Sequence, residues 1–337
     1  MINNYRSPYI IIKSRYADAR HLVYHFLEMV DRQFLQNGVV NGNHVGVAVI
    51  STADNQKQQH QKITEKVEKK SGWKVKVTDN LTLAERLTVF AGEVGGTAIL
   101  VFLGCTGCVA SKGIPPHLQI SLTFGLAVMV AVQIFGHISG SHINPIVTVA
   151  AATLGNISLI QIPVYFFGQL LGAILGYGCL LAITPQHYVQ SGSQEINGIV
   201  MKNPGVCSPG IHPEITVFQG FLAEFLITFI LALVCCGVWD ARNADKHDSV
   251  SIRFGLTIAV LAMAGGQYTG ANMNPVRSFA PALLNGDWEN HWVVYWIAPL
   301  LAGFLGALIY RILFQKPAPA KSEEIAEVIP LNDNNKA

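Results

Sequence analysis

The sequence predicts an all-α integral membrane protein: six transmembrane helices plus two re-entrant half-helices, arranged as an inverted internal repeat. Three observations carry this. The central region is poor in charge and broken into apolar runs of membrane length. A set of landmarks recurs at an offset of about 130 residues. Two short apolar stretches each open on Asn-Pro.

Half of the 337 residues are hydrophobic and 13% are charged, against about a quarter in a soluble domain. The deficit is uneven: residues 1–80 hold 12 of the 23 Lys+Arg and 7 of the 21 Asp+Glu. Spans are expected near Leu87–Val109, Gln119–His137, Ile160–Ile183, Val217–Trp239, Val250–Gln267 and Val293–Phe314, each near the roughly 20 residues that cross a hydrocarbon layer. An even number of spans puts both ends on one side. Lys66, Lys69, Lys70, Lys74, Lys76 and Arg86 precede the first span. Arg242, Lys246 and Arg253 lie between the fourth and fifth, and Arg311 and Lys316 close the last, while the opposite loops carry little beyond Lys112 and Lys202. Positive residues stay inside, so both termini are expected in the cytoplasm of a cell-membrane protein. Asn80-Leu-Thr82 and Asn156-Ile-Ser158 then fall on the wrong side for glycosylation. No signal peptide is read in residues 1–80.

The repeat is explicit. EVGGTAILVFLGC from Glu93 is matched by EFLITFILALVCC from Glu224, and Phe124-Gly125-Leu126 by Phe254-Gly255-Leu256. GHISGSHINPIVT from Gly136 is matched by GQYTGANMNPVRS from Gly266. Each half has three spans, so the second enters the membrane in the opposite orientation, an arrangement that sets a solute site near the midplane. The unit is expected over residues 81–316, with repeats at about 84–183 and 214–314.

Asn144-Pro145-Ile146 and Asn274-Pro275-Val276 each begin a helix, because Asn is a preferred N-cap and Pro a preferred first residue. The apolar stretches to Leu154 and Leu284 are about half a span long. Two half-helices meeting at their N-termini explain this. The Gly140-Ser141 and Gly270-Ala271 stretches before them suit non-helical backbone lining water. A helix N-terminus carries about half a positive charge. Two at the centre each repel a cation by about 2 kcal/mol at about 4–5 Å and an effective dielectric near 20. Neutral hydrogen-bonding molecules escape that barrier.

The paired Asn-Pro motifs, GHISGSHINP, YTGANMNPVRSFAPAL, and the glutamates of the first and fourth spans resemble the aquaporin (major intrinsic protein) family over about residues 84–316. The resemblance implies that the Asn144 and Asn274 amides donate to a passing oxygen, and that Glu93 and Glu224 accept hydrogen bonds from the loops before each half-helix. It implies a passive channel for water and small neutral solutes, usually a homotetramer with one pore per subunit. The family's usual third motif residue is Ala; here Ile146 and Val276 replace it, so the contact between half-helices is expected to be adjusted. Those two residues keep open an alternative, a junctional or structural membrane protein of low permeability.

Matched position by position, the family's outer constriction falls on Phe124, Ala262, Ala271 and Arg277. Arg277, a charge inside an apolar region, is by itself a functional candidate. Water-selective relatives usually carry His where this chain has Ala262, and that water-selective aquaporin is the second alternative. A small residue there widens the aperture, leaving an apolar wall opposite a hydrogen-bonding one, as suits glycerol and urea. In this respect the chain resembles insect members with the same replacement (entomoglyceroporin-like). Ser278 follows Arg277 where bacterial-type glycerol channels carry Asp, as in water channels.

Cys105 and Cys108 have metal-like spacing but sit at the end of an apolar span without partner ligands; the six cysteines are read as forming no disulfide framework. His137 and His142 are read as structural or pore-wall residues rather than metal ligands. No metal or other cofactor is expected, and no nucleophile–base pair or nucleotide-phosphate loop points to an enzyme or to nucleic-acid binding. Tyr9–Gln36 could form an amphipathic helix, Thr52–Lys76 reads as flexible, and the net positive extension suits a face beside anionic membrane lipid. Residues 317–337 read as a disordered tail.

Overall fold

The computed structural model describes residues 9–12, 73–110, 115–189, 192–196, 199–203 and 205–315. Two small antiparallel strand pairs flank an otherwise helical molecule: β1 (Tyr9–Ile12) pairs with β2 (Trp73–Lys76), and β3 (Gly192–Ile196) with β4 (Ile199–Asn203). The first pair corrects the expected helix from Tyr9 and the flexible stretch to Lys76. A Tyr-Ile-Ile-Ile run fits a pleated strand better than a helix. The remainder of both segments, and the expected tail, lie outside the described residues.

Among the described residues, six helices are long and apolar enough to cross a membrane. In chain order the α-helices longer than one turn are α1 (Leu83–Thr106), α2 (His117–Ser139), α3 (Pro145–Leu154), α4 (Ile162–Ile183), α5 (Val217–Val238), α6 (Val250–Thr269), α7 (Pro275–Asn285) and α8 (Ala298–Leu313). A 3-10 turn, Leu159–Gln161, leads into α4 and a wide π turn, Val293–Ile297, into α8. The expected spans agree with these to within a few residues. The first span of each half opens on a capping box: Thr82 with Glu85 in α1, Thr216 with Gln219 in α5, which satisfies orphan N–H groups at each helix start.

The repeat organises the packing. α1 packs on α4 and α5 on α8, while α2 crosses α6 at the centre. Gly125 and Gly255 face each other at that crossing: a Cβ on Gly125 would collide with the Gly255 carbonyl. The repeated Phe-Gly-Leu string therefore marks the close approach of the two halves. α3 and α7, at 10 and 11 residues, reach about 15 Å, half the thickness of the hydrocarbon layer. Each ends on a left-handed glycine, Gly155 (φ 82°) and Gly286 (φ 72°), the usual stop for a helix that cannot continue.

A disulfide joins Cys105, in the last turn of α1, to Cys207 in the segment before α5. This corrects the reading of six unpaired cysteines. The partners lie 102 residues apart and meet only because α1 and that segment share one face of the bundle, which no local pattern reports. Cys108, Cys179, Cys235 and Cys236 are free thiols.

Candidate functional site

The chain between α2 and α3, and its counterpart between α6 and α7, are the irregular segments inside the bundle. Gly140, Ser141 and Ile143 have φ of 81°, 46° and 47°; Gly270, Ala271 and Met273 have 80°, 48° and 52°. A non-glycine residue in this region costs about 1 kcal/mol or more and persists where its surroundings over-determine it. Here the buried carboxylates do so. Glu93 accepts from the N–H of His142 (2.9 Å) and Ile143 (2.7 Å) and from Ser139 Oγ (2.7 Å). Glu224 accepts from the N–H of Asn272 (2.8 Å) and Met273 (2.9 Å) and from Thr269 Oγ1 (2.6 Å). Both are fully buried. Each carboxylate thus satisfies donors that an extended, twisted segment cannot pair with itself.

That geometry delivers the two asparagines to one place. Asn144 Oδ1 caps α3 by accepting from Ile146 N–H (3.0 Å), and Asn274 Oδ1 caps α7 by accepting from Val276 N–H (3.2 Å). Their amides reach across: Asn144 Nδ2 donates to Met273 O (2.9 Å) and Asn274 Nδ2 to Ile143 O (2.8 Å). An amide carries two N–H bonds; one locks the opposite loop and the other is left for a further acceptor. Pro145 and Pro275 occupy the first helical position of α3 and α7.

Both asparagines line one cavity of ≈ 760 Å³. Its lining takes in His247 and Asp248 of the α5–α6 connection as well as Arg277 of α7. Phe124, Ala262, Ala271 and Arg277 all line it. Arg277 is 7% exposed. Its guanidinium lies 4.6 Å from the centre of the Phe124 ring, and Nη1 donates to Cys207 O (3.0 Å), so a cation–π contact and a charge-assisted hydrogen bond fix it from two sides. Ala262 and Ala271 leave the remaining wall apolar and low. Ile146 and Val276 are fully buried and line no part of the cavity. Ile146 packs beneath Gly303 of α8, and Val276 against the α1–α4 cluster that holds Val101 and Tyr177. The replaced motif alanines are absorbed by flanking helices.

His137 lines the cavity. His142 is buried, stacks on Tyr165 with ring centroids 4.3 Å apart, and approaches Thr148 Oγ1 at 3.1 Å. Among the described residues no group of three His, Cys, Asp or Glu is disposed to hold a metal.

Several supporting residues escaped the reading of the sequence. Tyr165 OH donates to Ser139 O (2.6 Å) and Tyr295 OH to Thr269 O (3.1 Å). These are again counterparts 130 positions apart, so extending the repeat beyond its obvious strings finds them. Gln169 donates to Glu93 (2.9 Å) and to Thr148 Oγ1 (3.0 Å). Cys207, which supplies the carbonyl to Arg277, has no counterpart in the repeat.

Residues 80–310 match the family model described as Major intrinsic protein. Aquaporin-4 of Rattus norvegicus is 39% identical over 195 residues, 58% of this chain and 56% of that protein, and aquaporin-4 of Notomys alexis is 38% identical with 55% of its length covered. The chain thus spans a little over half the length of these relatives. Lens fiber major intrinsic protein of Homo sapiens is 36% identical over 239 residues, 71% of this chain and 85% of that protein. The X-ray structure of the aquaglyceroporin from Plasmodium falciparum is 27% identical with a TM-score of 0.57, covering 67% of this chain and 96% of that one. A matched core from residue 80 to 310, six membrane-length helices and two opposed half-helices lead to one conclusion: the chain is a multi-pass membrane protein that belongs to the major intrinsic protein family.

Proposed function

We propose that residues 81–316 form a passive channel, and not an enzyme, for water and small neutral solutes such as glycerol and urea, and that it excludes protons and ions. The observation that carries this is the pair of opposed asparagines that cap two half-helices and line one cavity. A permeating oxygen finds an amide N–H from each half at the centre, while a cation meets two helix N-termini and pays its lost hydration.

Breadth toward glycerol and urea rests on the constriction. With Phe124 on one side, Arg277 on another, and only methyl groups at Ala262 and Ala271, the wall is half apolar and half hydrogen-bonding, which matches a polyol or an amide better than a ring of donors. This favours the entomoglyceroporin-like reading over a water-selective filter. The burial of Ile146 and Val276 away from the cavity supports a permeable channel over a low-permeability junctional role.

The Cys105–Cys207 disulfide supports an oxidising environment on its face of the bundle, and so cytoplasmic termini at the cell membrane. Apolar side chains exposed along α2 and α5, such as Leu122, Leu126, Leu222 and Leu226, suit contact with lipid or with neighbouring copies in a homotetramer. Stopped-flow swelling of proteoliposomes tests the reading: water, urea and glycerol permeabilities all rise well above those of empty vesicles. Equality of the urea and glycerol values with empty vesicles sinks the solute claim, and equality of the water value sinks the channel.

A further inference from the structure

We propose that the Cys105–Cys207 disulfide is a positioning element of the solute constriction: it holds the backbone carbonyl that orients Arg277, and thereby sets discrimination between water and larger neutral solutes. The proposal rests on the reading of Arg277 as part of that constriction.

Arg277 leaves the first turn of α7 and is fixed by two groups, the Phe124 ring and Cys207 O. Both are referenced to the same turn of α1. Gly104 lies directly against the Phe124 ring, so closely that a Cβ there would overlap it. The next residue, Cys105, is bonded to Cys207. The chain of contacts closes on itself: the end of α1 seats the ring under the guanidinium and, through sulfur, the carbonyl beside it.

The carbonyl needs that anchor. Cys207 sits at φ 63°, a conformation that a non-glycine residue keeps only when its surroundings impose it. Residues 205–211 before α5 contain no helix or strand of their own, and such a segment is mobile unless tied down. Its ties converge on the carbonyl. Tyr177 OH donates to Val206 O (2.7 Å), Asn285 Nδ2 donates to Ser208 Oγ (2.8 Å), and the covalent bond acts at residue 207 itself. Arginine carries much rotamer freedom. With the carbonyl displaced, the guanidinium loses one of its two fixed neighbours and the width of the constriction is no longer set.

The test compares water, urea and glycerol permeabilities of wild type, Cys105→Ala/Cys207→Ala, Tyr177→Phe and Arg277→Val in proteoliposomes matched for protein. Replacing both cysteines denies Cys108 a thiol partner in Cys207. The readout is the solute-to-water ratio, which a loss of folded channels alone does not move. The double variant raises the urea and glycerol ratios about threefold or more, the size that follows when a hydrogen bond to a charged group is partly lost. Tyr177→Phe shifts them in the same direction by less. Ratios equal to wild type in the double variant, or all permeabilities falling in proportion, overturn the proposal if Arg277→Val moves the ratio. Should the double variant fail to reach the membrane, Tyr177→Phe decides, and an unchanged ratio overturns it. An Arg277→Val channel with wild-type ratios sinks the constriction reading instead, and the positioning role with it.

Discussion

Glu93 and Glu224 hold their loops through the same two backbone N–H groups and one hydroxyl, at 2.6–2.9 Å in each half, yet three residues past the capping asparagine the first half carries Val147 and the second Arg277. The scaffold and the central asparagine pair are duplicated; the position that carries Arg277 is not. The duplicated parts are those that satisfy backbone: carboxylates, tyrosine hydroxyls and asparagine caps. The two residues that differ, Val147 and Arg277, both line the cavity. On the proposed reading, selectivity comes from breaking a symmetry that folding keeps.

Removing the carboxylates should have the largest effect. Glu93→Ala strands two loop N–H groups, Ser139 Oγ and one Gln169 donor; Glu224→Ala strands two N–H groups and Thr269 Oγ1. Each buried unsatisfied group costs about 1–3 kcal/mol, a large share of a total stability of about 5–15 kcal/mol. Both variants should lose most folded protein in detergent, measured by size-exclusion yield, with Glu93→Ala the worse. A Glu224→Ala protein with wild-type yield and water flux would break the equivalence of the halves.

Arg277→Val makes the halves alike at the position where they differ. It removes a buried charge together with its fixed contacts to Phe124 and Cys207. Solute flux should rise by about tenfold with folded yield retained, because the shorter side chain widens the constriction. Unchanged glycerol and urea flux would mean that the difference between Val147 and Arg277 has no consequence for permeation.

The outline of this scaffold was open to a reading of the sequence because its signals are local or repeated. Apolar length identifies a span, Asn-Pro identifies a capped helix start, and an offset of 130 between Asn144 and Asn274 identifies the pairing of halves. Ser139 and Thr269 fall inside the matched strings, but their bonds to the carboxylates could not be read from them; Tyr165 and Tyr295 obey the same offset and were hidden because an isolated tyrosine carries no pattern of its own. The disulfide was illegible for a different reason. Cys105 is bound to a residue 102 positions away in a segment outside the repeat, and its spacing to Cys108 suggested a more local meaning. The strand at Tyr9–Ile12 was missed because its partner, Trp73–Lys76, is also remote.

Ala262→His sharpens the comparison on the opposite wall. A ring there narrows the passage across from Arg277 and adds a polar group to an apolar side. Glycerol flux should fall by about tenfold, comparable with what small steric differences achieve in other sites, while water flux is spared. Equal loss of both fluxes would point to a blocked pore, and equal retention would place residue 262 away from the narrowest point.

The smallest effect concerns how each half is tied down at the face that bears Asp79 and Asp240. Asp79 accepts from Arg86 Nη2 (2.6 Å), Gln161 Nε2 (3.0 Å), Leu81 N–H (3.1 Å) and Ser158 Oγ. Asp240 accepts from Arg242 Nε and Nη2 (2.7 Å each) and from Tyr310 OH (3.0 Å), which joins the start of the α5–α6 connection to α8. The Arg242 guanidinium, against the cost of burial, holds the Asp240 carboxyl well below the usual carboxylate range. At Asp79 burial opposes ionisation, and the bonds from Ser158, Leu81 and Gln161 with the charge of Arg86 outweigh it. A carboxyl whose folded value lies below its unfolded one of about 4 stabilises the fold fully above that pH, and the contribution fades as pH falls toward the folded value. Thermal midpoints should therefore drop between about pH 5 and pH 3, and Asp240→Asn should flatten that decline. At neutral pH the same variant should cost about 1–2 kcal/mol, limited because the Arg242 side chain is 44% exposed and screened by solvent. An acid limb as steep in Asp240→Asn as in wild type would assign it wholly to other carboxylates, Asp79 first among them, and would break the idea that this tie in the second half is acid-sensitive.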